Sequence, residues 1–114
     1  MKITKTWMQN KINSAKAGND QLFLMHFVGR ALLVLLANQT SEEQREGSVR
    51  EANGCGFCTY ESEIGTSHAK YYQQKKVLTE KQYNFWLAEK EGFARICKYY
   101  RQLNIAAQEK LHES

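Results

Sequence analysis

The stretch from Leu22 to Ala37 constrains the fold more than any other part of the chain. It is the longest apolar run, and it contains no proline. Its Leu, Met and Ala content favours helix, while Phe23, Phe27, Val28 and Val34 carry some strand character. His26, Gly29 and Arg30 interrupt it, and it is short for a bilayer span of about 20 residues. A helix that is apolar nearly all round needs cover on most sides. The chain of 114 residues is long enough for one domain, residues 1–114, with one modest core. With no proline and only seven glycines, a turn-rich β architecture is disfavoured. The expected fold class is all-α, a compact bundle of about five helices around a central helix at about 21–38.

The other helices can be placed by pattern. Ile3, Trp7, Met8 and Ile12 fall at helical spacing and predict a first helix over 3–17. Gly18-Asn19-Asp20 ends it and offers Asn19 or Asp20 as the next cap. His26 and Arg30 form a narrow polar seam on the central helix, expected to face solvent. Thr40-Ser41-Glu42-Glu43-Gln44 has a capping pattern that predicts a short acidic helix over about 41–51. Thr59 is placed to cap a helix over 60–75, with Tyr60, Ile64, His68, Tyr71 and Tyr72 along one side. His68 reads there as a hydrogen-bonded packing residue. Lys75-Lys76 would sit at the negative pole of that helix. In Leu78-Thr79-Glu80-Lys81-Gln82-Tyr83, Thr79 and Gln82 form a capping box and Leu78 with Tyr83 a hydrophobic staple. The helix they open is expected to reach about Glu109, with Gly92 either a close helix contact or a break.

Charge is unevenly spread. Residues 1–39 carry five Lys/Arg against one Asp, residues 40–64 two against six Glu, and residues 65–114 nine against five Glu. The net charge of +4 permits nucleic-acid binding without requiring it. Three cysteines and an N-terminus without a signal-peptide h-region predict a reducing, cytoplasmic setting with free thiols and no membrane association.

Several constellations bear on chemistry. Cys55-x-x-Cys58 has zinc-ligand spacing, but a structural zinc needs four ligands, and only Cys97, His26, His68 and His112 could complete the set. A redox pair would want a βαβ context, which is absent from the pattern. Asn53-Gly-Cys-Gly-Phe precedes a predicted helix, so its amides could hold an anion, yet it lacks a P-loop ending. The favoured reading is a structural turn made by Asn53, Gly54, Gly56 and Phe57, with no metal and no cofactor. No nucleophile sits in a recognisable motif, and Glu61 and Glu63 diverge on a helix, so no enzyme activity is expected. The best functional surface is basic. Arg95, Lys98, Tyr99 and Gln102 follow helical spacing opposite Phe93, Ile96, Tyr100 and Leu103. With Arg101, Lys75 and Lys76, this face could contact phosphates, and Tyr99 could stack on a base. An ordinary solvated face has the same pattern.

Together these motifs resemble a short module that recurs in bacteriophage and plasmid proteins, often encoded with helicase and primase-like replication proteins. The matching residues are Gln39-Thr40 with Glu42-Glu43-Gln44, Asn53-Gly54-x-Gly56-Phe57, and Glu63 with Gly65 and Ala69. Leu78-Thr79-x-Lys81-Gln82 and Lys98-Tyr99-x-x-Gln102-Leu103 complete it. The likeness covers about residues 31–103 and supplies no catalytic residue. The module has an aliphatic residue where Cys55 stands and requires no thiol at Cys58, which weighs against zinc. The resemblance implies a link to mobile-element DNA metabolism. The expected function is a small, non-catalytic accessory protein that binds DNA, RNA or a host or phage nucleoprotein complex. The alternative is a phage-encoded inhibitor of a host defence system, anti-CRISPR-like, acting by protein contact.

Overall fold

A computed structural model describes the backbone of residues 2–46 and 56–113, with side chains except at 40–46 and 109–113. The fold is all-α, with five α-helices among the described residues: α1 (Lys5–Ala17), α2 (Gln21–Glu46), α3 (Ser62–Lys75), α4 (Glu80–Leu87) and α5 (Tyr100–Glu113). Between α4 and α5 lies a small antiparallel hairpin of β1 (Glu89–Lys90) and β2 (Phe93–Ala94). Single 3-10 turns occupy Thr59–Glu61 and Arg95–Tyr99.

The apolar run becomes the central helix, and α1, α3, α4 and α5 all pack on α2. Leu24, Val28, Leu32 and Leu35 form its buried ridge, meeting Met8 and Ile12 of α1 and Trp86 of α4 in one core. Gln21–Gln39 is long and apolar enough to cross a membrane, and 39% of that window is buried within this fold. Gly29 lets α3 approach closely, because a Cβ there would stand 2.4 Å from the Tyr72 ring.

Caps set most of the boundaries. Thr4 accepts a hydrogen bond from Trp7 N–H, and Asp20 accepts one from Phe23 N–H at 3.0 Å. Thr79 and Gln82 form the reciprocal capping box of α4, with Leu78 and Tyr83 buried beside it. α3 ends at Lys75, where Lys76 adopts the left-handed conformation.

Three boundaries differ from the sequence expectation. The central helix does not stop at Asn38. It continues to Glu46, because Thr40 and Ser41 lie among good helix formers with no glycine or proline to halt propagation. A separate acidic helix therefore does not begin at 41, and residues 47–51 lie outside the described residues. Thr59 does not cap α3. Its 3-10 turn starts after Cys58 with no side-chain cap, and Tyr60 is 78% exposed rather than on the apolar side. The long last helix is divided. Glu91 (φ 58°) and Gly92 (φ 89°) make a two-residue hairpin turn of the type I′ pattern, so Gly92 is a break and not a helix contact.

Candidate functional site

Gln39, Gly65, Tyr99 and Gln102 converge on the segment Gly56-Phe57-Cys58. Gly56 has φ +80°, and a Cβ there would lie 2.4 Å from the Gln39 side chain. Gln102 holds its backbone from the other side, accepting from Gly56 N–H at 2.7 Å and donating to Gly56 C=O at 3.0 Å. The same Gln102 oxygen accepts from Asn38 at 3.0 Å. Gln39, itself buried, accepts from Phe57 N–H at 3.3 Å and donates to Thr66 at 3.1 Å. Phe57 is buried against Trp86 and Tyr99, in space left by Gly65, where a Cβ would stand 2.5 Å from its ring. Of the residues expected to form a structural turn, Gly56 has a positive φ and Phe57 is buried, while Asn53 and Gly54, like Cys55, lie outside the described residues.

The next layer is electrostatic. Glu61 is only 2% exposed, and its carboxylate accepts from the Tyr99 hydroxyl, from Lys98 Nζ at 2.7 Å and from the Cys58 thiol at 3.6 Å. Arg95 Nε stands 3.4 Å from the same carboxylate. Arg95 also donates to Phe85 C=O at 2.8 Å and lies over the Phe85 ring, 4.0 Å from its centroid. Burial alone would lower the Lys98 ammonium, but the hydrogen bond and charge of Glu61 outweigh it, and the net direction is upward. Burial, followed by the bonds to Cys58 and Glu61, raises the Tyr99 phenol.

This geometry revises the expected basic face. Residues 95–99 form a 3-10 turn, so the 100° spacing of an α-helix does not apply across them. Tyr99 is 5% exposed and is not a stacking surface. Gln102 is occupied by Gly56 and Asn38. Arg95 and Lys98 do face a shared cleft. Arg101 is exposed, with its Nε donating to the neighbouring Tyr100 hydroxyl at 3.1 Å. Lys75 and Lys76 are exposed at the far end of α3, roughly 20 Å along the helix from the Glu61 cluster.

The cleft has a volume of about 260 Å³ and contains members that the sequence pattern does not group. Lys5 of α1 and Lys90 of β1 join Arg95 and Lys98, with Glu61 and Glu91 as its acids. Tyr60 stands at its edge, with Lys98 Nζ 5.1 Å from the ring centroid. Lys5 is placed by its ammonium over the Phe93 ring at 5.0 Å. Gln9 of α1 fixes the hairpin by accepting from Ala94 N–H at 2.7 Å. No local motif links residues 5, 60 and 90, so only the tertiary fold brings them together.

The described cysteines and histidines, Cys58, Cys97, His26 and His68, have packing partners. Cys97 is buried beside Gln9, and burial pushes its thiol up to about 11. His68 Nδ1 accepts from the Trp86 indole N–H at 3.0 Å, and burial lowers its pKa. His26 Nδ1 lies 2.7 Å from the Tyr72 hydroxyl, and the half-buried ring lines a groove together with Arg30. Among the described residues, no three His, Cys, Asp or Glu side chains converge as metal ligands would.

A second concavity lies between α1, α2 and α5, with a volume of about 440 Å³ and an almost wholly apolar lining. Comparison with protein families, with curated proteins and with solved structures finds no match for this chain.

Proposed function

We propose that this chain is a small, non-catalytic helical protein that binds nucleic acid, or a nucleoprotein complex, through the cleft between α1, the hairpin and the two 3-10 turns. One observation carries this reading. Four cationic side chains, Lys5, Lys90, Arg95 and Lys98, line one cleft, and their charge exceeds that of the two acids beside them. Such a surface suits phosphates, and its concavity concentrates the field. Tyr60 replaces Tyr99 as the base-stacking candidate, since its ring is exposed at the cleft edge. Glu61 fixes Arg95 and Lys98 in place. Arg101, Lys75 and Lys76 would serve as outlying contacts for a longer strand. The resemblance to the phage and plasmid module extends the proposal to mobile-element DNA metabolism in the cytoplasm.

The apolar groove favours a second reading, an inhibitor of a host defence complex acting by protein contact. A pull-down from host lysate with and without nuclease separates the two. Partners held through nucleic acid in the basic cleft disappear after nuclease treatment. Partners that survive it favour direct protein contact.

A further inference from the structure

The groove between α1, α2 and α5 has a shape and charge that suit one class of occupant. Its floor is a ridge of α2, Phe23-Phe27-Ala31 with Val34, at the i, i+4, i+8 spacing that normally packs into another helix. The ridge runs from residue 23 to 34, roughly 16 Å or three helical turns. Small side chains line it where a helix would have to approach closely: Ala31 on the floor, Ala106 and Ala107 on the α5 wall. Phe23 remains 38% exposed in the groove.

The polar groups of the groove are cationic or neutral. Arg30 lines it and has no ion pair among the described residues. Lys11 projects over the Trp7 ring, itself a lining residue, with Nζ 5.5 Å from the centroid. No Asp or Glu among the described residues lines the groove. We infer that this groove is a docking site for an amphipathic α-helix of a partner protein, one that carries acidic residues beside its apolar stripe. The apolar stripe lies on the Phe23–Val34 ridge, and an acidic side chain reaches Arg30. A concave channel three turns long suits a rod better than a flat bilayer. Trp7 and Lys5, two positions apart on α1, point to opposite sides of that helix, so the groove and the basic cleft can be filled together.

Of the two tryptophans, Trp7 lines the groove and Trp86 is fully buried outside it, so a change of tryptophan emission on adding a ligand to the intact chain reports Trp7 and occupancy. The probe is a synthetic amphipathic helical peptide of about four turns, with leucines at i, i+3, i+4 and i+7 and glutamates flanking them. A control peptide carries lysine in place of each glutamate. The glutamate peptide is expected to shift Trp7 emission and to bind at least about tenfold more tightly than the control. Arg30→Glu should invert that preference, and Phe23→Asp should abolish binding while leaving the helical circular dichroism signal unchanged. Equal binding of both peptides, or no response to either, would overturn the proposal. So would a Trp7 shift induced only by anionic phosphatidylglycerol vesicles, or sedimentation showing that a second copy of the chain fills the groove.

Discussion

Gln102 holds both the N–H and the C=O of Gly56, at 2.7 and 3.0 Å, across 46 residues of sequence. This clamp ties the start of α5 to the segment that returns the chain after α2. A leucine at 102 would keep the bulk and leave both backbone groups unpaired at a part-buried position. Gln102→Leu should therefore cost about 2–3 kcal/mol in urea denaturation. A loss below about 0.5 kcal/mol would show that water replaces the clamp.

The glycines should separate by position. Gly56→Val combines a positive φ with a Cβ 2.4 Å from Gln39, and should leave little folded protein at physiological temperature. Gly92 also has positive φ, +89°, but a Cβ there would meet nothing within 4 Å. Gly92→Asn should cost less than about 1 kcal/mol, because asparagine tolerates the left-handed region. Thermal melts of the two variants test the contrast.

Glu61→Gln keeps the shape of the buried side chain and removes the charge that holds Arg95 and Lys98. It should destabilise the fold by about 2–4 kcal/mol. Cys58→Ser, by contrast, should change stability by less than about 1 kcal/mol, since a hydroxyl can still donate toward Glu61. Loss of folding in Cys58→Ser would restore a structural role for the cysteine pair.

Much of the helical framework is legible in the sequence. The apolar run, the Asp20 cap and the Thr79–Gln82 capping box are local signals, and each appears where its pattern places it. The basic face is not legible in the same way, for a physical reason. Glu91-Gly92 admits a tight turn that converts one expected helix into helix, hairpin, 3-10 turn and helix. That change moves Tyr99 inward and exposes the cleft side of Arg95 and Lys98. Lys5, Tyr60 and Lys90 cannot be grouped from spacing, because their proximity depends on how α1 packs against the hairpin.

Alkaline stability follows from groups whose folded-state pKa is raised. The buried Cys97 thiol stands at about 11 against an ordinary value of 9.0. Its contribution is fully present below pH 9.0 and is lost as the pH climbs toward about 11. Lys98 and Tyr99 are raised as well, so their contributions fade in the same direction, beginning above their ordinary values of 10.5 and 10.0. The unfolding free energy from urea titrations, measured from neutral pH upward, should fall above about pH 9, by at most about 1.4 kcal/mol per pH unit from the thiol. Cys97→Ala should remove the first part of that decline.

The central claim rests on the basic cleft, and fluorescence anisotropy with labelled single-stranded and duplex oligonucleotides tests it most directly. With about three phosphate contacts, affinity should fall roughly 20- to 40-fold between about 50 and 200 mM salt. The double variant Lys5→Ala/Lys90→Ala should lower the salt slope by about one for each lysine, without loss of folding. No binding at low salt, or binding that the double variant leaves unchanged, would contradict the account.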